Sequence, residues 1–313
     1  MSSARTLAEP GTPPARPARA RGRVREALTG YAFAAPFLVI FMVFLALPIL
    51  ASFVLSFTDF SLGNLVDPLS APFVGLKNYA RLLGDTTFHQ AAFNTAYFVV
   101  VGVVLNVALG LAAATALNRG ISRFRALFRV GYYLPVVTSI VAIAVIWRFL
   151  FNADFGAVNG ILHVFGITGP DWLGNPTLAM PVIILMAVWR NFGNAMIIFL
   201  AGLQAIPVDL YEAARIDGAN RWQEFRRITV PMLRPTLLFC TVITTIGFLQ
   251  LFEEPFVMTQ GGPLNKTLSV SMYVYQEAFN FFHQGYASAI AYTLFVVIAA
   301  VSLIQFRVLR TLT

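Results

Sequence analysis

Charged side chains are scarce in this chain of 313 residues: they make up 12% of the sequence, whereas hydrophobic residues make up 58%. A soluble domain of this length would carry roughly 25% charged residues. The shortage excludes an ordinary soluble protein, because a surface in contact with water needs far more charge. The composition therefore predicts a polytopic membrane protein.

Several kinds of chemistry lack the residues they need. The chain has one cysteine, Cys240, inside an apolar run, so no disulfide can form within it. The three histidines, His89, His163 and His283, are too far apart in sequence for a metal site. No Walker-type G-x-x-x-x-G-K-[ST] segment is present to cradle phosphates, and basic and aromatic residues do not interleave as in nucleic-acid binders. We therefore expect no metal, no cofactor and no nucleic-acid partner in this chain.

What the chain has in abundance is long apolar runs. Each is long enough to cross about 30 Å of hydrocarbon, and the prolines and glycines within them are tolerated in spanning helices. The expected fold is all-α, with six transmembrane helices in a domain over 31–313 that is surrounded by membrane lipid. The runs lie near 31–57, 91–118, 130–151, 178–203, 235–258 and 287–308.

The first 30 residues are rich in Pro, Ala and Arg and hold almost nothing large and apolar. Such a segment cannot bury enough surface to fold, so a disordered tail is predicted over 1–30. A secretory signal peptide is the rival interpretation. The apolar run from Tyr31 to Phe57 is well beyond the roughly 7–15 residues of a signal peptide's apolar region, which favours a helix that stays in the membrane.

The cations are distributed unevenly among the connections. Seventeen of the 22 Lys and Arg lie in four places. These are the tail, the second connection (between the second and third apolar runs), the fourth connection (between the fourth and fifth runs) and the C-terminal end. Because cytoplasmic segments carry the excess of Lys and Arg, both termini and the fourth connection are predicted to be cytoplasmic. The net charge of +8 therefore reflects topology.

The fourth connection, 204–234, is a polar, Arg-rich island between two apolar runs. Pro207 can begin a helix, the pair Asp217-Gly218 can end it, and Asn220 with Gln223 can cap a second helix as a capping box. Trp222 and residues three and six positions later form one apolar stripe. The pattern fits equally a connector on the inner leaflet and an element that docks on another protein.

Residue offsets in this island resemble the EAA loop of ABC importer permeases. The match includes an acid, a glycine at a set offset and an Ile-x-x-Pro ending. Other segments, among them Phe73-x-Gly75-Leu76-x-Asn78-Tyr79 and Gly261-Gly-Pro263, resemble the carbohydrate-type branch of that family, such as the shorter relatives of the maltose permease large subunit. The island carries the motif as Glu212-Ala213-Ala214, Asp217-Gly218-Ala219, Phe225, Ile228, Pro231 and Pro235.

The resemblance implies a type I importer permease in a bacterial-type plasma membrane, moving a sugar or sugar-like solute by alternating access. It implies a second homologous permease subunit, a cytoplasmic ATPase dimer that holds ATP and Mg, and an extracytoplasmic solute-binding protein or lipoprotein. The chain itself would not be an enzyme. The helix from about Asp209 to Ile216 would contact the ATPase. The implied coupling residues are Glu212, Ala213, Ala214, Arg215, Asp217, Gly218, Ala219 and Phe225.

Two polar clusters are predicted to line the solute path, because polar groups at membrane depth are costly and usually face the interior of a bundle. In maltose-type relatives the matching segments contribute to the sugar site, although this chain departs from them in residue identity. The clusters are Arg190, Asn191 and Asn194 in the fourth run, and Gln250, Glu253 and Glu254 in the fifth.

Structural roles for these residues are equally consistent with the sequence. Arg190 can pair with a glutamate between helices, and Glu253 and Glu254 can mark the external end of their helix. The two asparagines, three residues apart on one helix face, can make amide contacts between helices. A channel or a secondary transporter for small polar solutes is the alternative function, although neither a filter nor a duplicated half is visible.

Overall fold

The computed structural model describes residues 20–64, 66–67, 70–119 and 124–310, and in that part of the chain there is no β-strand. The predicted tail 1–30 therefore lies outside the described residues up to position 19, and a helix begins at Ala20. The helices are α1 (Ala20–Phe41), α2 (Leu47–Leu55), α3 (Lys77–Gly84), α4 (Thr86–Arg119), α5 (Arg125–Val137), α6 (Ile140–Leu150), α7 (Ala157–Val164), α8 (Ala179–Gln204), α9 (Val208–Ile216), α10 (Arg221–Glu224), α11 (Val230–Met232), α12 (Arg234–Leu249), α13 (Glu253–Met258), α14 (Val270–Tyr275) and α15 (Gln284–Arg310).

The chain divides into two compact units, Met1–Ser52 and Phe53–Thr313. In the first unit, α1 continues through a π-helical turn at Met42–Ala46 into α2, which gives one apolar helix over Thr29–Leu55. Its large apolar side chains, such as Phe33 and Phe44, are exposed. An apolar helix with an exposed apolar surface suits lipid, as expected for a membrane span.

The core of the second unit is built on α4 and α8, which pack along each other. Small residues let the two backbones approach: a Cβ added at Gly110 of α4 would lie 2.6 Å from the Cβ of Ala195 in α8. Large side chains fill the rest of the contact, and Phe98, Phe199 and Met196 are fully buried. The two helices therefore form a rigid centre against which α5 and α12 pack.

One predicted span is bent, and a second bend lies just before the predicted run 235–258. The run 130–151, expected as one helix, consists of α5 and α6 with an angle of 96° between them. Thr138 between them has an extended backbone (φ −82°, ψ 147°), three residues after Pro135, which cannot donate a helical hydrogen bond. Similarly, the segment Arg221–Met232 meets α12 at 67°. Among the described residues four helices are long and apolar enough to cross a membrane, and counting each bent pair as one span would raise the number to six.

The predicted fifth run, 235–258, is also interrupted. Helix α12 ends at Leu249, residues 250–252 are not helical, and α13 begins at Glu253. The break is held from outside the run: the Ser269 hydroxyl donates a 2.5 Å hydrogen bond to the Leu251 carbonyl. Hence a span that the sequence shows as continuous is opened in the middle, and its freed carbonyl has a partner.

The α14 segment that supports this break is itself anchored to the core. The Val270 amide donates to the Thr95 hydroxyl of α4 (3.1 Å), and the Tyr273 hydroxyl donates to Asp85 Oδ2 (2.6 Å). Tyr286 of α15 donates to the same oxygen (2.6 Å). Side chains of α14 and α15 therefore contact one carboxylate just before α4 begins.

Asp85 also caps α4, because its Oδ1 accepts from the Thr87 and Phe88 amides at 2.9 and 3.1 Å. Burial opposes the charged form of Asp85, but these four hydrogen bonds outweigh it and hold the pKa of the carboxyl below its usual value. Burial, together with the hydrogen bond to Asp85, raises the pKa of the Tyr273 hydroxyl, which therefore stays a donor. This network therefore anchors α14 and α15 to the start of α4 through a charged carboxylate.

Candidate functional site

A cavity of about 340 Å³ lies where α4, α8 and α12 meet the interrupted segment. Both predicted polar clusters open into it, although they are about 60 residues apart in sequence. The tertiary structure therefore brings all six predicted solute-path residues together, and their role in transport stays a prediction. They are Arg190, Asn191, Asn194, Gln250, Glu253 and Glu254.

The interruption at 250–252 is what turns the second cluster toward the cavity. Gln250 follows the last residue of α12, and Glu253 and Glu254 form the first turn of α13. Gln250 and Glu253 are exposed, whereas Glu254 is buried with 7% exposure. Carboxylates in the first turn of a helix face its positive end, which favours acids there. The glutamates therefore belong to a new helix rather than to the end of the fifth span.

Arg190 is half-buried and makes few contacts for a cation inside a helix bundle. Its Nη1 lies 3.4 Å from Asn191 Oδ1, and its Nε is buried without a hydrogen-bond partner. Within the described part of the chain, no Arg190 nitrogen lies within 4.0 Å of an oxygen of Glu253 or Glu254. The ion pair between helices that the sequence left open is therefore not formed, and the Arg190 Nε is left as an unpaired donor.

The two asparagines of the cluster differ. The Asn191 amide donates back to the Ala187 carbonyl of its own helix at 2.9 Å. Asn194 is exposed at the cavity. Between them, Gly193 lies so close to α5 that an added Cβ would collide with the carbonyl oxygen of Tyr132. The wall of the cavity is thus held in place by a tight contact between α5 and α8.

Sequence reasoning missed Asn106 of α4. Its side chain is 2% exposed, it lines the cavity, and its Oδ1 has no hydrogen-bond partner. An amide in the middle of the apolar run 91–118 was the available signal, because a polar group at that depth is costly unless it serves the interior. Thr244 of α12 and the aromatic pair Phe98 and Phe248, whose ring centroids are 5.0 Å apart, complete the lining.

The island at 204–234 forms a second candidate surface and follows the sequence prediction closely. Pro207 precedes α9, which ends at Ile216, and Gly218 has a φ of +78°. Asn220 accepts from the Gln223 amide at 2.9 Å while the Gln223 side chain accepts from the Asn220 amide at 2.8 Å. The predicted helix, glycine turn and capping box are all present.

One face of α9 is exposed and has apolar side chains beside an acid. Glu212 and Ala213 are exposed, and the side chains of Val208 and Ile216 are 65% and 87% exposed. Exposed apolar side chains next to charge are typical of an interface. This face matches the docking alternative for the island.

The remaining predicted coupling residues lie at the turn and on the second helix. Ala214 and Ala219 are half-buried and joined by a 2.9 Å backbone hydrogen bond, and Asp217 is exposed. Arg215 reaches back within the chain, with its Nε 2.9 Å from Glu224 Oε1. Its side chain is nevertheless 64% exposed, and the coupling role of Arg215 stays a prediction.

The predicted apolar stripe on the second helix is only partly buried. Ile228 packs against the core, whereas Trp222 is 67% exposed and stacks on Phe225 with ring centroids 5.7 Å apart. A π-helical turn at Phe225–Thr229 rotates the later residues relative to the earlier ones. Trp222 and Phe225 line a groove of about 1410 Å³ that also borders α4 and α9.

Known proteins resemble this chain along most of its length. Residues 106–312 match the family described as binding-protein-dependent transport system inner membrane component. The chain is 39% identical to the probable ABC transporter permease protein YesP of Bacillus subtilis, over 92% of this chain and 93% of the relative. It is 39% identical to the lactose transport system permease protein LacF of Rhizobium radiobacter (90% and 94% covered). It is 35% identical to the trehalose/maltose transport system permease protein MalF of Thermococcus litoralis (92% and 96% covered).

Solved structures resemble it in fold. A chain of a bacterial ABC transporter involved in the import of the acidic polysaccharide alginate superposes with a TM-score of 0.82 at 24% identity, covering 94% of this chain and 99% of that one. A chain of an amino acid ABC transporter superposes with a TM-score of 0.51 at 18% identity, covering 74% and 97%. At these identities the likeness concerns the fold, and it confirms the expected permease architecture.

Proposed function

Because the chain belongs to the family of binding-protein-dependent transport system inner membrane components, we propose that it carries a sugar or sugar-like solute through the cavity described above. As a member of this family it is a multi-pass permease subunit of an ABC importer and not an enzyme. ATP is hydrolysed by a separate subunit, and a binding protein is a further partner. This family assignment replaces the alternative functions considered from the sequence, a channel and a secondary transporter.

The solute class is proposed from relatives and from cavity chemistry together. Relatives are named for lactose, arabinooligosaccharides and trehalose or maltose. At the cavity wall, Asn106 Oδ1 and Arg190 Nε are buried without a hydrogen-bond partner. A sugar hydroxyl is both donor and acceptor, so it can bond to this amide and this guanidinium when they turn toward the cavity. The Phe98 and Phe248 rings supply apolar surface for a sugar ring face.

The exposed face of α9 is the proposed contact with the ATPase. Its free acid, Glu212, and its exposed Ile216 are presented by a short helix that the fold holds on the other side. Glu212 would pair with a basic group of the ATPase, with ATP and Mg held on that partner. The cation asymmetry supports a cytoplasmic location for this helix and for both termini. A second homologous permease subunit would complete the path and bind the other ATPase subunit.

The single observation that carries this proposal is the convergence of both polar clusters on one cavity. Its test is uptake into membrane vesicles that contain the whole importer. Lactose, maltose and arabinooligosaccharides are first screened for binding to the partner binding protein, and the bound sugar is then used as the transported probe. Asn194→Ala and Gln250→Ala should reduce uptake without altering assembly. Unchanged uptake and unchanged sugar-stimulated ATP turnover in both variants would place the path elsewhere.

Docking is tested separately by co-purification. Glu212→Lys should abolish uptake and reduce recovery of the ATPase with the permease, while the chain still inserts. Asp154→Lys is the matched control and should behave as wild type, because it makes the same charge reversal at an exposed acid between α6 and α7. Wild-type uptake by Glu212→Lys at matched protein levels would exclude the coupling role. Recovery of a homo-oligomer alone, without an ATPase or a second permease, would argue against the partners.

A further inference from the structure

Glu224 is a buried carboxylate outside the cavity. It is 3% exposed and accepts a 2.9 Å charge-assisted hydrogen bond from Arg215 Nε. Arg215 lies in the last turn of α9 and Glu224 is the last residue of α10, so the contact spans the turn at Gly218. A buried acid without such a partner is costly, and the pair therefore holds α9 against α10.

A second contact joins the same two segments. The hydroxyls of Tyr211 and Thr229 are 3.0 Å apart, and the Thr229 hydroxyl donates to the Glu224 carbonyl at 3.4 Å. Thr229 is completely buried. Tyr211 and Arg215 are four residues apart, hence on one face of α9. The helix is thus gripped on one face, while the face that carries Glu212 stays exposed.

The gripped segment leads directly to the cavity. Glu224 precedes the π-helical turn and Thr229 is its last residue, and the chain continues from there through α11 into α12. Ile228 and Leu233 pack against the core formed by α4 and α8. Further along α12, Ile243, Thr244 and Gly247 line the cavity. Contacts therefore run without a gap from α9 to the cavity wall.

We propose that the contacts Arg215–Glu224 and Tyr211–Thr229 form a brace that transmits movement of the docked α9 to α12. These are positioning residues, since none of them lines the cavity. Without the brace, the backbone of the Asp217–Gly218–Ala219 turn joins α9 to α10. This inference rests on the proposed docking of α9 on the ATPase, and it adds the route by which that docking reaches the solute path.

The test uses the complete importer in proteoliposomes, with Cys240→Ser to remove the native thiol and Thr244→Cys as a reporter in the cavity. The measured quantity is the rate of labelling by a membrane-impermeant maleimide, with and without ATP, beside the rate of ATP hydrolysis. In Glu224→Gln the ATP-dependent change in labelling should fall about tenfold, as for a lost charge-assisted hydrogen bond. ATP hydrolysis and co-purification of the ATPase should stay near wild type.

Tyr211→Phe removes the second contact without leaving a buried charge, so it tests the brace even if Glu224→Gln fails to insert. Arg226→Ala, at an exposed arginine beside the brace, is the control and should leave the change in labelling intact. Arg215→Lys keeps a cation opposite Glu224 and should retain most of the ATP-dependent change in labelling.

Two results would overturn the brace. One is a wild-type change in labelling in both Glu224→Gln and Tyr211→Phe. The other is loss of ATPase co-purification in these variants, because the contacts would then present α9 rather than transmit its movement. Failure of docking itself is seen independently in Glu212→Lys, so the two proposals can fail separately.

Discussion

The island at 204–234 and the cavity are built by opposite means. In the island, Pro207, Gly218 and the Asn220–Gln223 capping box act within a few residues of one another, and the helices form where local rules place them. The cavity gathers side chains from α4, α8, α12 and α13, and it depends on an interruption held by Ser269. Local rules are therefore enough for the island, whereas the cavity depends on the packing of distant segments.

The largest effect is expected at the glycine of the island. Gly218 has a φ of +78°, with no atom within 4 Å of an added Cβ, so the backbone conformation alone demands glycine. A β-branched residue there is strained by roughly 1–3 kcal/mol, which is enough to unwind the turn. Gly218→Val should abolish uptake in vesicles while the chain still inserts.

Gly218→Asn is the control for this prediction, because asparagine tolerates the left-handed region. It should retain most of the uptake. Equal loss in both variants would mean that a side chain, and not the backbone angle, is what the site rejects. The conformation of the island would then depend on contacts beyond the turn itself.

A smaller effect is expected at the glycine beside the cavity. Gly193→Ala places a Cβ against the Tyr132 carbonyl oxygen, so α5 and α8 must separate. Such overpacking costs about 1–3 kcal/mol. We expect a lower thermal unfolding midpoint in detergent and reduced uptake. Gly131→Ala, on α5 with open space around the added Cβ, should leave both unchanged. An equal response of the two variants would show that the contact between α5 and α8 does not shape the cavity.

The cap of the island should have a modest effect. Asn220→Ala removes the side chain that accepts from the Gln223 amide, which costs about 1 kcal/mol of helix stability. Because the capping box is local, faster hydrogen exchange should be confined to residues 221–229. Increased exchange in α8 or at the cavity would contradict the separation between the two regions.

The smallest effect, a change in the pH dependence of stability, is expected at Asp85, which anchors α14 and α15 to the start of α4. Its pKa is lower in the folded chain than the usual value of 3.8. A depressed carboxyl pKa contributes stability above the unfolded value, and this stability is lost as pH falls through the folded pKa. Wild type should therefore lose stability below pH 3.8 more steeply than Asp85→Asn. The check is the difference between their unfolding midpoints at neutral pH and at about pH 3. Parallel curves would exclude the anchor.

Much of the molecule could be predicted before its structure. The apolar runs indicated the helices that cross the membrane, and α9 and α10 lie where Pro207, Gly218 and Asn220 predict them. The break after Leu249 could not be predicted, because residues 235–258 read as one apolar segment. Asn106 was missed for a related reason: a single amide in a long apolar helix shows its importance only when its neighbours are known.

By itself, the sequence determined the class of protein, the family and the local structure of the island, because hydrophobicity, caps and turn residues act over a few positions. The tertiary structure decided which polar groups share the cavity and that Arg215 contacts Glu224 across the turn. It also decided that the fifth run opens at Gln250. These features depend on contacts between residues far apart in the chain or across a turn, and the packing of α4 and α8 brings the cavity groups together.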